Sequence, residues 1–204
     1  MIKKLDTELI HICEGDTRHY GASQYWFRKK IHGLSGCGPA TAALILRYMA
    51  EAFSETCGAL YEHEIPATKE DFTGFMQDVR EFVKPGMGGL TDHKFFASST
   101  IAFAQTRGVK LKMQNVSTSL SEGVAFGFIE RAIGERYMPA LLILRNPSKA
   151  LGDFTWHWMG ITGYDKEKKT IFISTYGEEY ELDFEEVWNQ KKPYRANCVY
   201  FFPK

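Results

Sequence analysis

Residues 34–46 (LSGCGPATAALIL) limit the folds open to this chain more than any other segment. They place Cys37 between two glycines and then supply Pro39, which suits the first turn of a helix because that turn has no use for its N–H. Apolar side chains then recur at helical spacing, at Ala42, Ile45, Leu46, Met49 and Phe53. The pattern predicts a largely buried helix over about 38–53, with Cys37 at its N-terminus.

Cys37 is a candidate nucleophile because of this position. The helix dipole and the unpaired N–H groups of a first turn favour a thiolate, and the thiolate is the reactive form. Gly36 and Gly38 are expected to leave room for a substrate beside the sulfur, so Cys37 is predicted to lie in a partly open site. The alternative is a small buried apolar side chain that starts a helix, and the two glycines argue against it.

Composition excludes several classes of function. The 204 residues are 44% hydrophobic and 14% aromatic, enough for one domain with a packed core. The 25 basic and 25 acidic residues cancel, which indicates no nucleic-acid partner. The N-terminus lacks the apolar region of a signal peptide, and the longest apolar run, 138–144, is too short to cross a membrane. We expect a cytoplasmic protein without membrane contact.

The four cysteines are spread along the chain without a CxxC pair. This spacing is not typical of a disulfide scaffold or of a cysteine-rich zinc site. We therefore expect free thiols, no metal and no cofactor.

The order of the predicted elements indicates an α+β fold. After an irregular stretch of about thirty residues and the 38–53 helix, the patterns predict helices at 68–83, 92–106 and 121–135, with a strand at 109–116. Strands follow at 140–145, 156–164, 170–175 and 197–202, and Asp183 caps a short helix within 182–188. We expect a single domain with a helical lobe over about 1–136 and an antiparallel sheet lobe over about 137–204.

His157 is the best placed partner for Cys37. A cysteine nucleophile needs an imidazole within hydrogen-bond reach and a third group that orients the imidazole. His157 starts a predicted strand, and a base on a strand in the second lobe can face a nucleophile on a helix in the first. Most other histidines lie among polar residues at the ends of elements. His32, five residues before Cys37, stays open as a residue that lines the site.

Strand parity limits the third group to two residues. An even number of loop residues between the strands at 156–164 and 170–175 places Ser174 and Tyr176 on the same face as His157, whereas an odd number brings Thr175 there. Ser174 is the first choice. Both side chains are hydroxyls, and neither is the carboxylate or amide that usually orients a catalytic imidazole.

Three segments carry a resemblance to one family. Residues 36–41 (GCGPAT) and the apolar helix after them resemble the nucleophile segment of the bacteriocin-processing, papain-like cysteine peptidases. Residues 157–165 (HWMGITGYD) resemble their histidine strand, and 174–177 (STYG) are similar to the Asn-Ser-Trp-Gly segment of papain relatives. The resemblance implies a two-lobed papain-like fold and a peptidase of this group.

The resemblance also implies roles for individual residues. Cys37 corresponds to the nucleophile, His157 to the general acid and base, and Ser174 to the orienting residue. A glutamine about six residues before the cysteine normally helps to bind the oxyanion, and the nearest one here is Gln24, thirteen residues before Cys37. The substrate implied is a peptide or small amide.

Two further interpretations remain beside the hydrolase. A papain-like domain that has lost its third catalytic residue can serve as a non-catalytic binding module. A metal site is the weakest interpretation, because one cysteine and scattered histidines lack ligand spacing.

Overall fold

The computed structural model describes residues 1–86, 88–189, 191 and 193–204. Its α-helices are α1 (Lys30–Leu34), α2 (Cys37–Ala52), α3 (Ser54–Cys57), α4 (Lys69–Arg80), α5 (His93–Thr106), α6 (Glu122–Gly134) and α7 (Phe184–Val187). Its strands are β1 (Ile2–Lys4), β2 (His11–Glu14), β3 (Thr17–Tyr20), β4 (Leu111–Ser117), β5 (Ala140–Arg145), β6 (His157–Asp165), β7 (Thr170–Thr175), β8 (Glu178–Asp183) and β9 (Arg195–Pro203). This mixture of helices and strands confirms the α+β class.

Within the described residues, one seven-stranded sheet has the order β4-β9-β5-β6-β7-β8, with β1 also paired to β6. Every pairing is antiparallel, as predicted. Strand β5 pairs with residues 157–160 of β6 and β1 with residues 163–165, so both lie on one edge of β6 while β7 takes the other. The sheet therefore also includes β1 and β4, from the part of the chain predicted to form the helical lobe.

The prediction of an irregular N-terminal stretch is wrong. Strand β1 joins the main sheet, and β2 and β3 form a separate hairpin that turns at Gly15, whose φ is +57°. Strands of three or four residues lie at or below the lower limit of the four to eight residues over which an alternating pattern can be recognised.

Helix α2 packs against β6, α4 and α5. All of its residues are buried except Glu51, which confirms the predicted buried helix. Cys37 is the first residue of the helix, one residue before the predicted start. No helix within the described ranges is long and apolar enough to cross a lipid bilayer.

Strand β8 is an element that the sequence did not reveal. Residues 178–183 (EEYELD) include four acidic side chains, a class depleted in strands. A two-residue turn, Tyr176–Gly177, connects β7 to β8, and both residues have positive φ, 56° and 82°. Two positive φ angles define the type I′ hairpin turn. This turn fixes where the Tyr176 side chain lies.

Candidate active site

The N-terminus of α2 and the start of β6 meet at a small enclosed cavity of about 10 Å³, room for at most one water molecule. The residues that line it are Ala22, Gln24, Cys37, Ala40, Thr41, Leu44, His157, Trp158, Ser174 and Thr175. All four predicted site residues therefore border one space, although they come from four separate parts of the chain.

Cys37 is buried, with 7% of its surface exposed, so the prediction of a partly open site is wrong. The two glycines beside it explain why. A Cβ at Gly36 would lie 2.6 Å from the ring of Phe27, and a Cβ at Gly38 would lie 3.0 Å from the side chain of Leu90. Side chains of the protein therefore pack directly against both glycines, and these positions do not leave space for a substrate.

The predicted preference of Cys37 for the thiolate form also fails in the closed site. Burial raises the pKa of the Cys37 thiol, and nearby N–H groups of Trp158, Gly38 and Cys37 itself only partly offset this. Loss of solvation disfavours the charged form more than the first turn of the helix favours it. The resting site therefore holds a neutral thiol.

His157 is buried and neutral as well. Its side chain is 5% exposed, and burial lowers the pKa of the imidazole to about 4. Its Nε2 lies 2.6 Å from the hydroxyl oxygen of Thr175. The ring of Tyr176 stacks on the imidazole, with the centroids 4.7 Å apart and the planes 16° from parallel. A hydrogen bond and a stacking contact thus fix the orientation of the ring.

The neighbours of His157 indicate its tautomer. The Tyr176 hydroxyl donates its single hydrogen to the Asp153 carbonyl at 3.0 Å and lies 3.5 Å from the imidazole Nδ1. When Nε2–H donates to Thr175, Nδ1 keeps a lone pair that receives no short hydrogen bond. Nδ1 is then the nitrogen able to accept a proton. No hydrogen bond between Cys37 and His157 occurs in the described part of the chain, and their predicted separation of about 4 Å stays a prediction.

The orienting residue is Thr175 and not Ser174, the first choice from the sequence. The Ser174 hydroxyl donates to the Tyr20 carbonyl at 2.8 Å, and Gly21 lies directly over it, leaving no space for a Cβ. Ser174 borders the cavity but has no hydrogen bond to His157 within the part of the chain described.

A β-bulge in β6 explains this correction. Near the turn, Asp165 pairs with Thr170, but beyond Thr162 the register shifts and Ile161 pairs with Ile173. The turn has four residues, 166–169, an even number. With an even turn and no bulge, Ser174 would lie on the same face as His157. One extra residue in β6 reverses the parity and brings odd-numbered positions of both strands onto the face of His157.

Gln24 reaches the cavity in spite of its long separation from Cys37 in sequence. It starts a 3₁₀ turn, Gln24–Trp26, that packs on α1 just before α2. Its Nε2 donates to the Gly33 carbonyl at 2.7 Å, and its Oε1 is buried without a partner in the described residues. A side-chain amide has two N–H groups, and this bond uses one. The second N–H has no hydrogen-bond partner in the described residues.

Tyr176 contacts His157 for a different reason from the one that the sequence suggested. An even loop placed Tyr176 with Ser174 on the face of His157, but the bulge in β6 reverses that parity. Tyr176 lies in the type I′ turn after β7, and its ring stacks on the imidazole from there. The stacking contact itself was not predicted from the sequence.

No protein-family model and no curated protein matches this sequence. Among solved structures, the chain is similar to the crystal structure of the Pseudomonas avirulence protein AvrPphB. The TM-score is 0.39 and the identity 11%, over 85% of this chain and 95% of that chain. A likeness this weak indicates nothing about activity, so the chemistry has to be inferred from the site itself.

Proposed function

We propose that this protein is a papain-like cysteine hydrolase that cleaves an amide bond in a peptide or small amide, with Cys37 as the nucleophile and His157 as the general base and acid. One observation carries the proposal. A cysteine that starts a buried helix and a histidine oriented by a 2.6 Å hydrogen bond to Thr175 line the same cavity. A nucleophile, a base and an orienting group are the set that nucleophilic catalysis requires.

The first step transfers one proton and forms one bond. The Cys37 thiol gives its proton to Nδ1 of His157 as the sulfur attacks the substrate carbonyl carbon. A C–S bond forms, and the carbonyl π electrons move to oxygen as an oxyanion. The backbone N–H of Cys37 and the second N–H of Gln24 are the donors that we assign to this oxygen.

The remaining steps return the site to its starting state. The C–N bond breaks as His157 gives its proton to the leaving amine, which leaves a thioester on Cys37. His157 then takes a proton from water as the water attacks the thioester. The C–S bond breaks, the thiol recovers its proton, and the net change is one amide and one water converted to an acid and an amine.

Two features of the site predict slow turnover. The cavity of about 10 Å³ does not hold a peptide, so substrate binding must move its walls apart. In addition, Thr175 orients the imidazole without a charge, so it stabilises an imidazolium less than a carboxylate does.

Within this proposal, the motifs at 36–41 and 157–165 support the bacteriocin-processing group of these peptidases. The four cysteines are free, and Cys198 is fully buried in β9, both as predicted. Free thiols are typical of a reducing compartment, which supports the cytoplasm as the place of action.

A second candidate function is a non-catalytic binding module of the same fold. The buried Cys37 and its raised pKa favour it, because a domain without turnover has no need of a reactive thiolate.

Covalent labelling tests the hydrolase against the binding module. We would treat the protein with a peptidyl epoxide and map the added mass by peptide mass spectrometry. We expect Cys37 to be modified, and His157→Ala to slow this at least about 100-fold, the usual minimum for a general acid or base. Circular dichroism would verify that the variant is folded.

His32→Ala is the matched control, since His32 lies only five residues before Cys37 but does not line the cavity. It should leave the labelling rate unchanged. Half-exposed Cys13 provides an internal reference for ordinary thiol reactivity. If Cys37 reacts equally in the wild type and in His157→Ala, the hydrolase proposal fails and the binding module is the better description.

A further inference from the structure

Tyr176, whose ring stacks on His157, also lines a second pocket. It has a volume of about 260 Å³ and is lined by Tyr25, Asp153, Phe154, Tyr176 and Tyr180. Sites for whole small-molecule ligands occupy roughly 300–1,000 Å³, so this space is suited to one long side chain. We call it the aromatic pocket.

The walls of the aromatic pocket are tyrosine and phenylalanine rings in fixed arrangements. Tyr25 stacks on Tyr176, with the centroids 5.8 Å apart and the planes 13° from parallel. Phe154 meets Tyr180 edge to face at 5.2 Å. Tyr25 is 68% exposed, so this wall of the pocket is open to solvent.

Negative charge borders this pocket. Asp153 lines it directly, and the Tyr180 hydroxyl donates to the Glu178 carboxylate at 2.9 Å. Burial, Glu178 and then Asp153 raise the pKa of Tyr180, which agrees with both carboxylates lying near its hydroxyl. No basic group of the described residues forms an ion pair with Asp153 or Glu178.

Aromatic faces next to unpaired carboxylates select a cation. The faces of tyrosine and phenylalanine attract ammonium and guanidinium groups, and a carboxylate adds a charge-assisted hydrogen bond. An anionic side chain is repelled by both carboxylates, and an aliphatic one gains only the contact with the rings. Lysine and arginine combine a long apolar stem with a terminal charge and therefore match the walls and the rim together.

The position of the pocket indicates which part of the substrate it receives. Tyr176 contacts His157 with its ring and also forms a wall of the pocket. In the hydrolysis proposed above, His157 gives its proton to the leaving amine, so that amine must lie on the histidine side of the cleaved bond. A residue close to the amine in sequence is then next to the pocket.

We propose that the aromatic pocket binds a lysine or arginine side chain of the substrate, on the leaving-amine side of the cleaved bond. The choice of side rests on the proposed function. The selection of a cation rests on the rings and carboxylates alone, so binding and cleavage can be tested separately.

Binding is measured on the inactive Cys37→Ala protein. The probes are acetylated, amidated pentaglycine peptides with the central residue replaced by lysine, norleucine or glutamate, titrated by NMR. We expect the lysine peptide to bind about 5- to 10-fold more tightly than its norleucine counterpart, as one exposed cation–π contact and one exposed ion pair allow. Raising the salt concentration should reduce this preference.

Two variants identify the pocket as the source of the preference. In the Cys37→Ala background, Asp153→Asn keeps the shape and removes the charge, and Tyr25→Ala removes an exposed wall; each should lower the lysine preference at least 2-fold. Glu185→Gln, an exposed carboxylate on α7 outside the pocket, is the matched control and should change nothing. Equal binding of the lysine and norleucine peptides, or a preference that Asp153→Asn leaves intact, would overturn the cation site.

Cleavage mapping tests the side. The wild-type protein is incubated with a mixture of synthetic 14-residue peptides, and the products are sequenced by mass spectrometry. Lysine or arginine should be enriched at the first or second position after the cut. Enrichment before the cut overturns the assignment of the pocket. Lysine-selective binding together with an unreactive Cys37 overturns the hydrolase and the choice of side, and leaves a lysine-binding module.

Discussion

Helix α2 carries buried polar groups at both ends, and the two ends are satisfied differently. Near its C-terminus, the guanidinium of fully buried Arg47 donates to the carbonyls of Leu9 and His11 at 3.1 and 3.0 Å and pairs with Glu51 at 2.6 Å. At its N-terminus, Cys37 has no such set of partners within the described residues. The histidine that shares its cavity has one short hydrogen bond, to Thr175.

The difference separates a group that holds the fold together from one that is available for chemistry. Nη1 of Arg47 donates to two carbonyls inside the protein and Nη2 pairs with the Glu51 carboxylate, so the charge is balanced internally even though Nε has no hydrogen-bond partner in the described residues. At the other end, Nδ1 of His157 and Oε1 of Gln24 lack good partners. A buried polar atom without a hydrogen-bond partner destabilises the fold. A bound substrate that forms the missing hydrogen bonds would remove this penalty.

The largest expected effects are those of substitutions at the two ends of α2: one should change turnover and the other the free energy of unfolding. Cys37→Ala should reduce turnover at least about 10⁴-fold, equivalent to about 5.5 kcal/mol in the activation barrier. It removes one buried atom, so the free energy of unfolding should fall by only about 1 kcal/mol. Peptide cleavage assays and urea denaturation measure the two effects.

Arg47→Met should do the opposite. Removing one partner of a buried ion pair lowers the free energy of unfolding by about 3–5 kcal/mol, while the epoxide labelling rate of Cys37 in the folded protein should not change. Arg131→Met on the exposed surface of α6 is the control and should cost less than about 0.5 kcal/mol. A labelling rate that falls with Arg47→Met would mean that the two ends of α2 are not independent.

The next effect concerns pH. Burial lowers the pKa of His157 to about 4 in the folded protein, against about 6.5 in the unfolded chain. Between these values the unfolded chain binds the extra proton, so the free energy of unfolding falls as the pH drops from about 6.5 to 4, by about 3 kcal/mol in total. His157→Gln should flatten this part of the curve, measured by urea denaturation at several pH values.

Exposed His63 supplies the control for the pH series. His63→Gln should leave the difference between pH 6.5 and pH 4 as it is in the wild type. If His157→Gln and His63→Gln give the same curve, His157 titrates normally and its neutral resting state is wrong.

The features of α2 and β6 that the sequence predicted are those that depend on local pattern. Apolar spacing and Pro39 sufficed to place a buried helix over 38–53, one residue from the observed Cys37–Ala52, and the strand predicted from Trp156 starts one residue later, at His157. These signals lie within a few residues of the features that they predict.

The missed features depend on contacts between distant segments. Phe27 and Leu90, ten residues before and 53 residues after Cys37, fill the space beside the two glycines that was predicted to be open. The bulge at Thr162 shifts the pairing of β6 and β7 by one residue, and no residue type in the sequence indicates it. Because of this shift, Thr175 and not Ser174 bonds to His157. The pKa directions followed from burial, which the local pattern did not show.

The smallest predicted effect tests the bond that the bulge creates. Thr175→Val keeps the shape of the side chain but leaves the Nε2–H of His157 without an acceptor. An unsatisfied buried donor costs about 1–3 kcal/mol, part of which is felt only when His157 carries a charge during catalysis. We expect turnover to fall about 10- to 100-fold, with little change in KM, in peptide cleavage assays.

Two matched variants show whether the hydroxyl itself is responsible. Thr175→Ser keeps the oxygen and should restore at least half of the wild-type turnover. Ser174→Ala removes the neighbouring hydroxyl, whose bond goes to the Tyr20 carbonyl, and should cost stability without a comparable loss in turnover. If Ser174→Ala slows cleavage more than Thr175→Val does, the original choice of Ser174 is correct. The parity of β6 and β7 in the working site must then differ from the one described above, because only one of the two hydroxyls can share a face with His157.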